Sequence, residues 1–484
     1  TYSQKGQHVR ANDVATDGAD NVFVIGTESS RALLFVHKYD SNGNLDMGFA
    51  GDGSQWLRPA TGTYQEVFAT PADGGSLLVA SSAFIGGIQQ VTLSKITSAG
   101  IIDTSFGSSG HVITSFASHH VLKALHRAED GTIFLCGHAD EGGTYKPFIA
   151  RYGSDGTPDP GFGTDGFIQL NQFAGNYTTE GLLITAEGAI RIAGSVASYP
   201  GGQGFPQAFL LGLDADGLPE SGFGELGLSV PPLLFRGEAL SGTFGVAGAV
   251  AMADGRIVLG GYDYPRGSDG DVFLLRFDAT GVLDTGFGLD GKAVLDLETG
   301  TDWNGWNDRI YAMLTIDGDR LVCAGAAGGS EFHKPALVTM SLADLSFLDH
   351  MILSGLSGAA AAPTADPNQD GIPNMLSVAF GIDPLTGEGR ELRYPGSVLS
   401  EDGTEGELRF TVQVSPPSDL TYIVRQSCDL SEWIEIARRV GPGPWTGTGT
   451  VETLSESNGL REVLVVGSGT DPCGYFRVEV MLKE

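Results

Sequence analysis

The chain has 484 residues, 41% of them hydrophobic, with 72 glycines and a formal net charge of −31. So acidic a balance argues against nucleic acid and anionic membrane as partners, and no apolar run approaches the roughly 18 residues of a membrane-spanning helix. Glycine at about twice ordinary usage, without a G-X-Y period, excludes collagen and points to many short strands joined by tight turns.

The length suits a large core plus a second module. Starting at Thr1, with neither an initiator Met nor a signal peptide, the chain reads as the mature form of an exported protein. Its four cysteines do not make a disulfide framework. Cys136 and Cys323 lie in apolar strands and are expected as buried free thiols. Cys428 and Cys473 lie in the C-terminal part and are either paired or free. A Cys428–Cys473 bond would place the protein outside the reducing cytosol.

From the N-terminus the sequence repeats a unit with a head and a tail. Each head is an apolar run, a turn with D-G or E-G, and a second apolar run ending in small residues. The six copies are 14–26 VATDGADNVFVIG, 68–81 FATPADGGSLLVAS, 124–137 ALHRAEDGTIFLCG, 183–194 LITAEGAIRIAG, 250–261 VAMADGRIVLGG and 312–325 AMLTIDGDRLVCAG. Two short apolar segments around such a turn predict a hairpin. The tail opens with a third strand (FVHKYD, TLSKIT, FIARYG, FLLGLD, FLLRFD, LVTMSL). A turn glycine follows at 43, 100, 156, 217 and 281, so the period is about 60 residues. Next comes a signature written five times: 46–53 DMGFAGDG, 103–110 DTSFGSSG, 159–166 DPGFGTDG, 220–227 ESGFGELG and 284–291 DTGFGLDG. A fourth strand such as HVITSF or KAVLDL closes the unit. Four strands per unit and six heads predict an all-β fold: a six-bladed β-propeller over 1–356, with four-stranded blades. In the signature the acid is expected to bind backbone N–H groups of its turn. The Phe is expected to plug the gap between blades. Five acids on five different blades read as structure rather than as a catalytic set.

This head and D-x-x-F-G-x-x-G tail, spaced near 60 residues over about 10–350, resemble the delta-60 repeat family of bacterial exported proteins. The resemblance implies a propeller-like fold and export, and no common activity. The sixth tail, 341–354 SLADLSFLDHMILS, lacks F-G, as a terminal unit would. Closure of the ring is expected either from residues 7–10 pairing onto the last blade or from residues 350–353. Residues 1–6 are then free for strand addition to a neighbouring subunit.

Residues 357–386 are a linker. Small, apolar, proline-bearing sequence ends the periodicity and leads into 366–374, a D-x-N-x-D-G-x-x-N loop. Oxygen side chains at alternate positions before a sharp glycine turn suit a hard cation. The loop is similar to the calcium loops of dockerins and thrombospondin type 3 repeats. That likeness implies Ca2+ held by Asp366, Asn368 and Asp370, the carbonyl of Ile372, and Asn374. Ser377 replaces the acid expected at the twelfth position, with Asp383 a possible substitute. The alternative is a metal-free Asx-turn linker. From 387 to 484 short alternating strands (LRFTVQV, TYIVRQS, WIEIARRV, REVLVVG, YFRVEVML) predict a small β-sandwich. It resembles C-terminal modules on large exported proteins of planctomycete- and verrucomicrobia-like bacteria.

No zincin, nucleophile-elbow, Walker, C-x-x-C or dinucleotide motif is present. His119 and His120 read as polar filler in a loop between blades. The 59 acids leave a carboxylate pair for hydrolysis open, because a sequence does not show which acids meet. Propeller function usually sits on mouth loops that the repeat does not constrain. Here these carry Tyr145, Tyr199, Tyr262, Tyr264, Trp303, Trp306 and Asp308, a set able to stack on sugar rings or to pack. The reading that follows is a secreted or cell-surface, non-enzymatic propeller that binds a glycan or protein partner at its mouth. The alternatives are a structural subunit of an extracellular filament or surface layer, and a polysaccharide-active enzyme on a propeller.

Overall fold

The computed structural model describes residues 9–482 apart from 29–31, 61–62, 115–118, 198–205, 232–233, 236–237, 240–242, 265–270, 285–286, 288–290, 296–308, 317–319, 328–333, 342–355, 357, 370–371, 381–395, 400–405, 414–415, 428–431, 458–459 and 467–474. The molecule is all-β, and up to Ser341 its main sheets are successive antiparallel units in which neighbouring strands follow one another in sequence. Blade one, for example, is Val9–Thr16, Val22–Glu28, Leu33–Tyr39 and Ser54–Leu57. Four more four-stranded sheets begin at Thr63, His119, Asn176 and Thr243, and a three-stranded sheet begins at Arg309. The two apolar runs of each head form the first two strands of a sheet. In blade three the turn between them contains Gly131 at φ 91°, a conformation only glycine adopts freely.

The second strand of a blade is apolar almost throughout rather than alternating. Every residue of Ile133–Asp140 except the last is buried. The cause is visible in the cores: one cluster joins Phe134, Cys136 and Ile149 of blade three to Tyr177, Ile190 and Phe209 of blade four. Another joins Leu135 and Phe148 of blade three to Leu78 and Leu93 of blade two. A sheet covered on both faces selects continuous hydrophobic strands. Cys136 and Cys323 are free and buried in these seams, and burial pushes the Cys323 thiol up to about 11.

The repeated signature forms a clasp at the outer turn. Its Phe side chains, at 49, 106, 162, 223 and 287, are all at most 1% exposed. The acid accepts the N–H two residues on, as in Asp159 with Gly161 at 2.9 Å. It also pairs with a cation that lies over the ring. Arg151 meets Asp159 at 2.7 Å and stands 4.4 Å above Phe162; Arg276 meets Asp284 at 2.7 Å and stands 4.9 Å above Phe287. Lys95 serves blade two in the same way, over Phe106, while in blade one Lys38 pairs with Asp46 but lies over Phe23, which packs edge-on against the clasp Phe49. In blade four the third strand carries Gly212 at this register, and Arg191, its partner on the second strand, reaches Glu220 and Phe223 instead. A Cβ on Gly212 would come within 2.3 Å of the Phe223 ring. Each Phe also reaches forward. A Cβ on Gly156 of blade three would strike Phe106 of blade two, and one on Gly217 would strike Phe162. The Phe therefore plugs the seam to the next blade.

The innermost strand of each blade contains a β-bulge. Its register skips Asn12 in blade one, Lys123 in blade three, Glu180 in blade four, Ala247 in blade five and Tyr311 in blade six. Blade two skips two residues, Gln65 and Glu66. Bulges re-aim side chains, and here they occur at one level of consecutive inner strands. His119 and His120 belong to such a strand, not to a loop. His120 is 2% exposed, enclosed by Phe148 and Phe167. The filler reading fails because the strand starts earlier than the apolar run suggests.

After the sixth sheet, a 3-10 turn (Gly358–Ala361) and a short helix (Asn374–Ala379) lead to two further four-stranded sheets. Their buried residues share one core: Phe410 and Val463 from one, Tyr422 and Ile436 from the other, joined by Ile372, Val378 and Phe380 of the linker. Among the described residues no helix is long and apolar enough to cross a membrane. Residues 1–8 and 350–353 lie outside the described residues, whereas Val9 and Arg10 pair with Glu28 and Thr27 inside blade one.

Candidate functional site at the propeller axis

Innermost strands of consecutive blades lie against one another, from blade one through blade six. Their bulged residues differ from blade to blade, and three of them are charged. Lys123 Nζ of blade three meets Glu180 Oε2 of blade four at 3.1 Å, with both side chains only 20–27% exposed. Burial raises the Glu180 carboxyl above the ordinary range. The Lys123 ammonium pulls it down, and the charge of Glu66 pushes it up again. Glu66 is on blade two, so this influence crosses the whole of blade three. Side chains of non-adjacent blades come within reach of each other only near the common axis. Lys123 and Glu180 pair at the axis, and Glu66 occupies the bulge of blade two at the same level of the inner strands, with its charge felt at Glu180.

Neutral groups hold these residues in place. The N–H of Thr179, the residue before Glu180, donates to Nδ1 of His138 at 3.3 Å. Ser82 and Ser195 accept the N–H groups of Leu122 and Val246 from the next blade in the same manner. His138 is thus a seam acceptor. Burial lowers it to about 4, and the Lys123 ammonium adds to the shift. On the other side of Glu66, Asn12 Nδ2 donates to the carbonyl of Gln65 at 3.3 Å, and Gln89 Nε2 donates to Gln65 Oε1 at 3.1 Å. Asp13 takes the N–H of Ala69 at 2.8 Å and links blades one and two; burial raises its carboxyl against the pull of that bond. The site offers a carboxyl whose hold on its proton is raised by burial, a second carboxyl at the same level and a cation. That combination suits general acid–base work.

The residues expected at the mouth do not assemble in this way. Tyr145 packs its ring on His138 and donates its backbone N–H to Asn176 of the next blade. Tyr262 lies beneath the guanidinium of Arg309, 5.0 Å from its ring centre, in the seam between blades five and six. Tyr264 ends a second strand opposite Thr243. Tyr199, Trp303, Trp306 and Asp308 lie outside the described residues, as do Cys428 and Cys473. A groove of about 500 Å³ at the blade-four clasp is lined by Asp214, Glu220 and Thr280, but Glu220 is held there by Arg191.

In the linker loop, Asp370 and Asp383 lie outside the described residues, and Asp366 and Asn368 form a turn with Gln369 at φ 57°. Ile372 and Asn374 are buried. Asn374 Nδ2 donates to the carbonyls of Ala360 and Ala362 at 2.7 and 3.0 Å, while its Oδ1 has no hydrogen-bond partner among the described residues. No cluster of three acidic, histidine or cysteine ligands occurs among the described residues.

Residues 128–162 and 253–287 match the model of a β-propeller domain of unknown function, DUF5122. The fold is a β-propeller. Both matches run from the hairpin turn of a blade to its clasp Phe, so they fall on the same phase of the repeat. No curated protein matches the chain. Among solved structures, a GH43 β-1,3-galactosidase with galactodeoxynojirimycin shares 10% identity over 56% of this chain and 92% of its own, at a TM-score of 0.32. Hydrazine synthase of Kuenenia stuttgartiensis shares 13% over 88% and 51%, at 0.34. An exo-β-1,3-galactanase from Clostridium thermocellum shares 11% over 69% and 83%, at 0.30. The expectation of a non-enzymatic binding propeller is corrected here. Glycoside-cleaving enzymes stand among the similar structures, on the side of the polysaccharide-active alternative. Such remote likeness speaks to shape alone, and the chemistry rests on the chain's own residues.

Proposed function

We propose that the chain is an exported, polysaccharide-active hydrolase: a six-bladed propeller of delta-60 type with a C-terminal β-sandwich, its reaction centre at the axis. What supports the reading is the placement of two carboxyls, Glu66 and Glu180, at the inner-strand bulges of blades two and four, with burial raising the Glu180 carboxyl. Glycoside hydrolysis uses two such groups, one giving a proton to the leaving oxygen and one acting as carboxylate at the anomeric carbon. Glu180 is the proton donor and Glu66 the carboxylate, with Lys123 holding Glu180 in place. Because the donor must keep its proton, the rate falls as pH rises through the raised Glu180 value. The test is reducing-end release from a panel of soluble polysaccharides by the parent and by Glu180→Gln. A loss of about 100-fold or more is expected in the variant. A parent inert on every polysaccharide, or a variant as active as the parent, would sink the reading.

The linker is proposed to bind Ca2+ through Asp366, Asn368, Asp370, the Ile372 carbonyl, Asn374 and Asp383. What supports this is the buried Asn374 Oδ1, an oxygen with no donor among the described residues, beside a turn of oxygen side chains. Bound there, the ion would tie the loop to the core that the following helix shares with the C-terminal sheets.

A further inference from the structure

The mouth of the seam between blades two and three carries side chains that neither the clasp nor the carboxyl pair uses. Blade two faces blade three through Leu78, Ala80 and Ser82 of its second strand. The first two lie in the core shared with blade three, and Ser82 accepts the N–H of Leu122. Strand side chains alternate, so Phe84 comes next on that face. Its ring meets that of His119, the first residue of blade three's inner strand, with 5.7 Å between centres and 57° between planes. Gln89 pairs with Phe84 across the hairpin. The Gln89 backbone N–H donates to His119 Nδ1 at 3.2 Å, and its buried side chain donates from Nε2 to Gln65 Oε1 at 3.1 Å.

Each of these bonds aims a donor. With Nδ1 accepting, the imidazole of His119 carries its proton on Nε2. With Oε1 accepting, the exposed Gln65 amide turns its Nε2 away from Gln89. Among the described residues neither nitrogen has a hydrogen-bond partner. Gln65 stands beside Glu66 because blade two skips two residues at its bulge where the other blades skip one. Nor is the mouth a repeated feature. At the register position of Phe84, blade three has Asp140, blade four Ala197 and blade five Tyr264.

We propose that this mouth is a subsite for one neutral sugar unit, held on Phe84 with its hydroxyls taking protons from Gln65 Nε2 and His119 Nε2, next to the unit cleaved at Glu66. It rests on the hydrolase reading for the bond that is cut, though not for the binding itself. A half-buried aromatic ring suits the apolar face of a sugar, and a few fixed N–H donors suit its hydroxyls. The bulge lies across from Ser82, and Phe84 is two residues, about 7 Å, further along the strand, so a glycan seated on Phe84 runs toward Glu66. The Glu66 carboxylate disfavours an anion there, which sets neutral sugars above uronic acids.

The test is titration calorimetry of the full chain carrying Glu180→Gln, with neutral oligosaccharides and oligouronates of matched length. At least one neutral oligosaccharide should bind, and more tightly than any oligouronate. In that background Phe84→Ala should weaken binding about 10-fold or more, Gln65→Ala about 5-fold, and Phe84→Tyr should leave it as it was. Gln65→Ala, at an exposed side chain, should keep the melting temperature, and it decides the matter even where Phe84→Ala melts early. No binding of any neutral oligosaccharide overturns the inference. So does tighter binding of oligouronates, or binding that ignores both Phe84 and Gln65. Turnover by the parent separates the two readings. An inert parent whose Glu180→Gln variant still binds through Gln65 loses the hydrolase and keeps the subsite; an active parent whose binding ignores Gln65 and Phe84 keeps the hydrolase and loses the subsite.

Discussion

The outer turn and the inner strand of a blade are opposite kinds of repeat. At the clasp, acid, cation and Phe recur in five blades, and where blade four loses its third-strand cation at Gly212, Arg191 restores it from the neighbouring strand. At the inner bulge the backbone recurs while the side chain does not: Asn12, Glu66, Lys123, Glu180, Ala247 and Tyr311 occupy the same level. Chemistry that every blade needs is repeated, because each seam has the same hole to fill. A charged residue that the other blades do not share answers to no such need, and at the axis two of these, Lys123 and Glu180, pair.

The largest effect on stability should come from breaking the clasp. Phe162→Ala removes a ring with 0% exposure that fills a seam, and about 3–5 kcal/mol of stability is expected to go with it, read from denaturant unfolding. An unchanged midpoint would mean that the seam does not depend on its plug.

The seam acceptor should produce a smaller, pH-dependent effect. His138 has a folded pKa lowered from 6.5 to about 4, so the unfolded chain binds its proton first as pH falls. Its contribution is present above pH 6.5 and is lost between 6.5 and about 4, by up to roughly 3 kcal/mol. His138→Ser copies the residue that blades two and four use at this position. The variant should keep the inter-blade bond and flatten stability across that window; a parent-like slope would assign the acid sensitivity to other groups. Below that range the clasp acids Asp103 and Asp159 follow. Their pKa values are lowered by hydrogen bonds from Ser105 and Gly161, together with Lys95 and Arg151, and their share is lost as pH falls below 3.8.

The effect expected from the linker is smaller still. Chelator should lower the transition of the parent by a few degrees, and Asn374→Leu should abolish that response, because the buried Oδ1 is then gone. Equal shifts in parent and variant would remove Asn374 from the ion's shell.

Much of this architecture was legible in the sequence. The D-G heads, the F-G tails and their spacing fix strand order and blade phase, because a tight turn and a buried ring each demand a particular residue. The clasp cation was written in FVHKYD, TLSKIT, FIARYG and FLLRFD, yet without coordinates nothing ties Arg151 to Asp159 rather than to solvent. The axial site was harder to see. Lys123 and Glu180 appear in VLKALHR and TTEGLLI as single charges in apolar strands, a signal worth heeding. The bulge that aligns them is set by backbone register, and the convergence of blades two, three and four is a property of the ring. Tyr145 and Tyr262 illustrate the converse: aromatics beside turn-rich loops look like a ligand platform, and here they pack in seams against His138 and Arg309.

The central claim is that the clasp holds the ring and the axis does the chemistry. Polysaccharide hydrolysis by Glu180→Gln and Asp159→Asn, each normalised to folded protein, tests it most directly. The account predicts that Glu180→Gln loses at least about 100-fold in rate with its melting temperature kept, and that Asp159→Asn melts earlier with its rate kept. Loss of activity in Asp159→Asn with Glu180→Gln still active would contradict it.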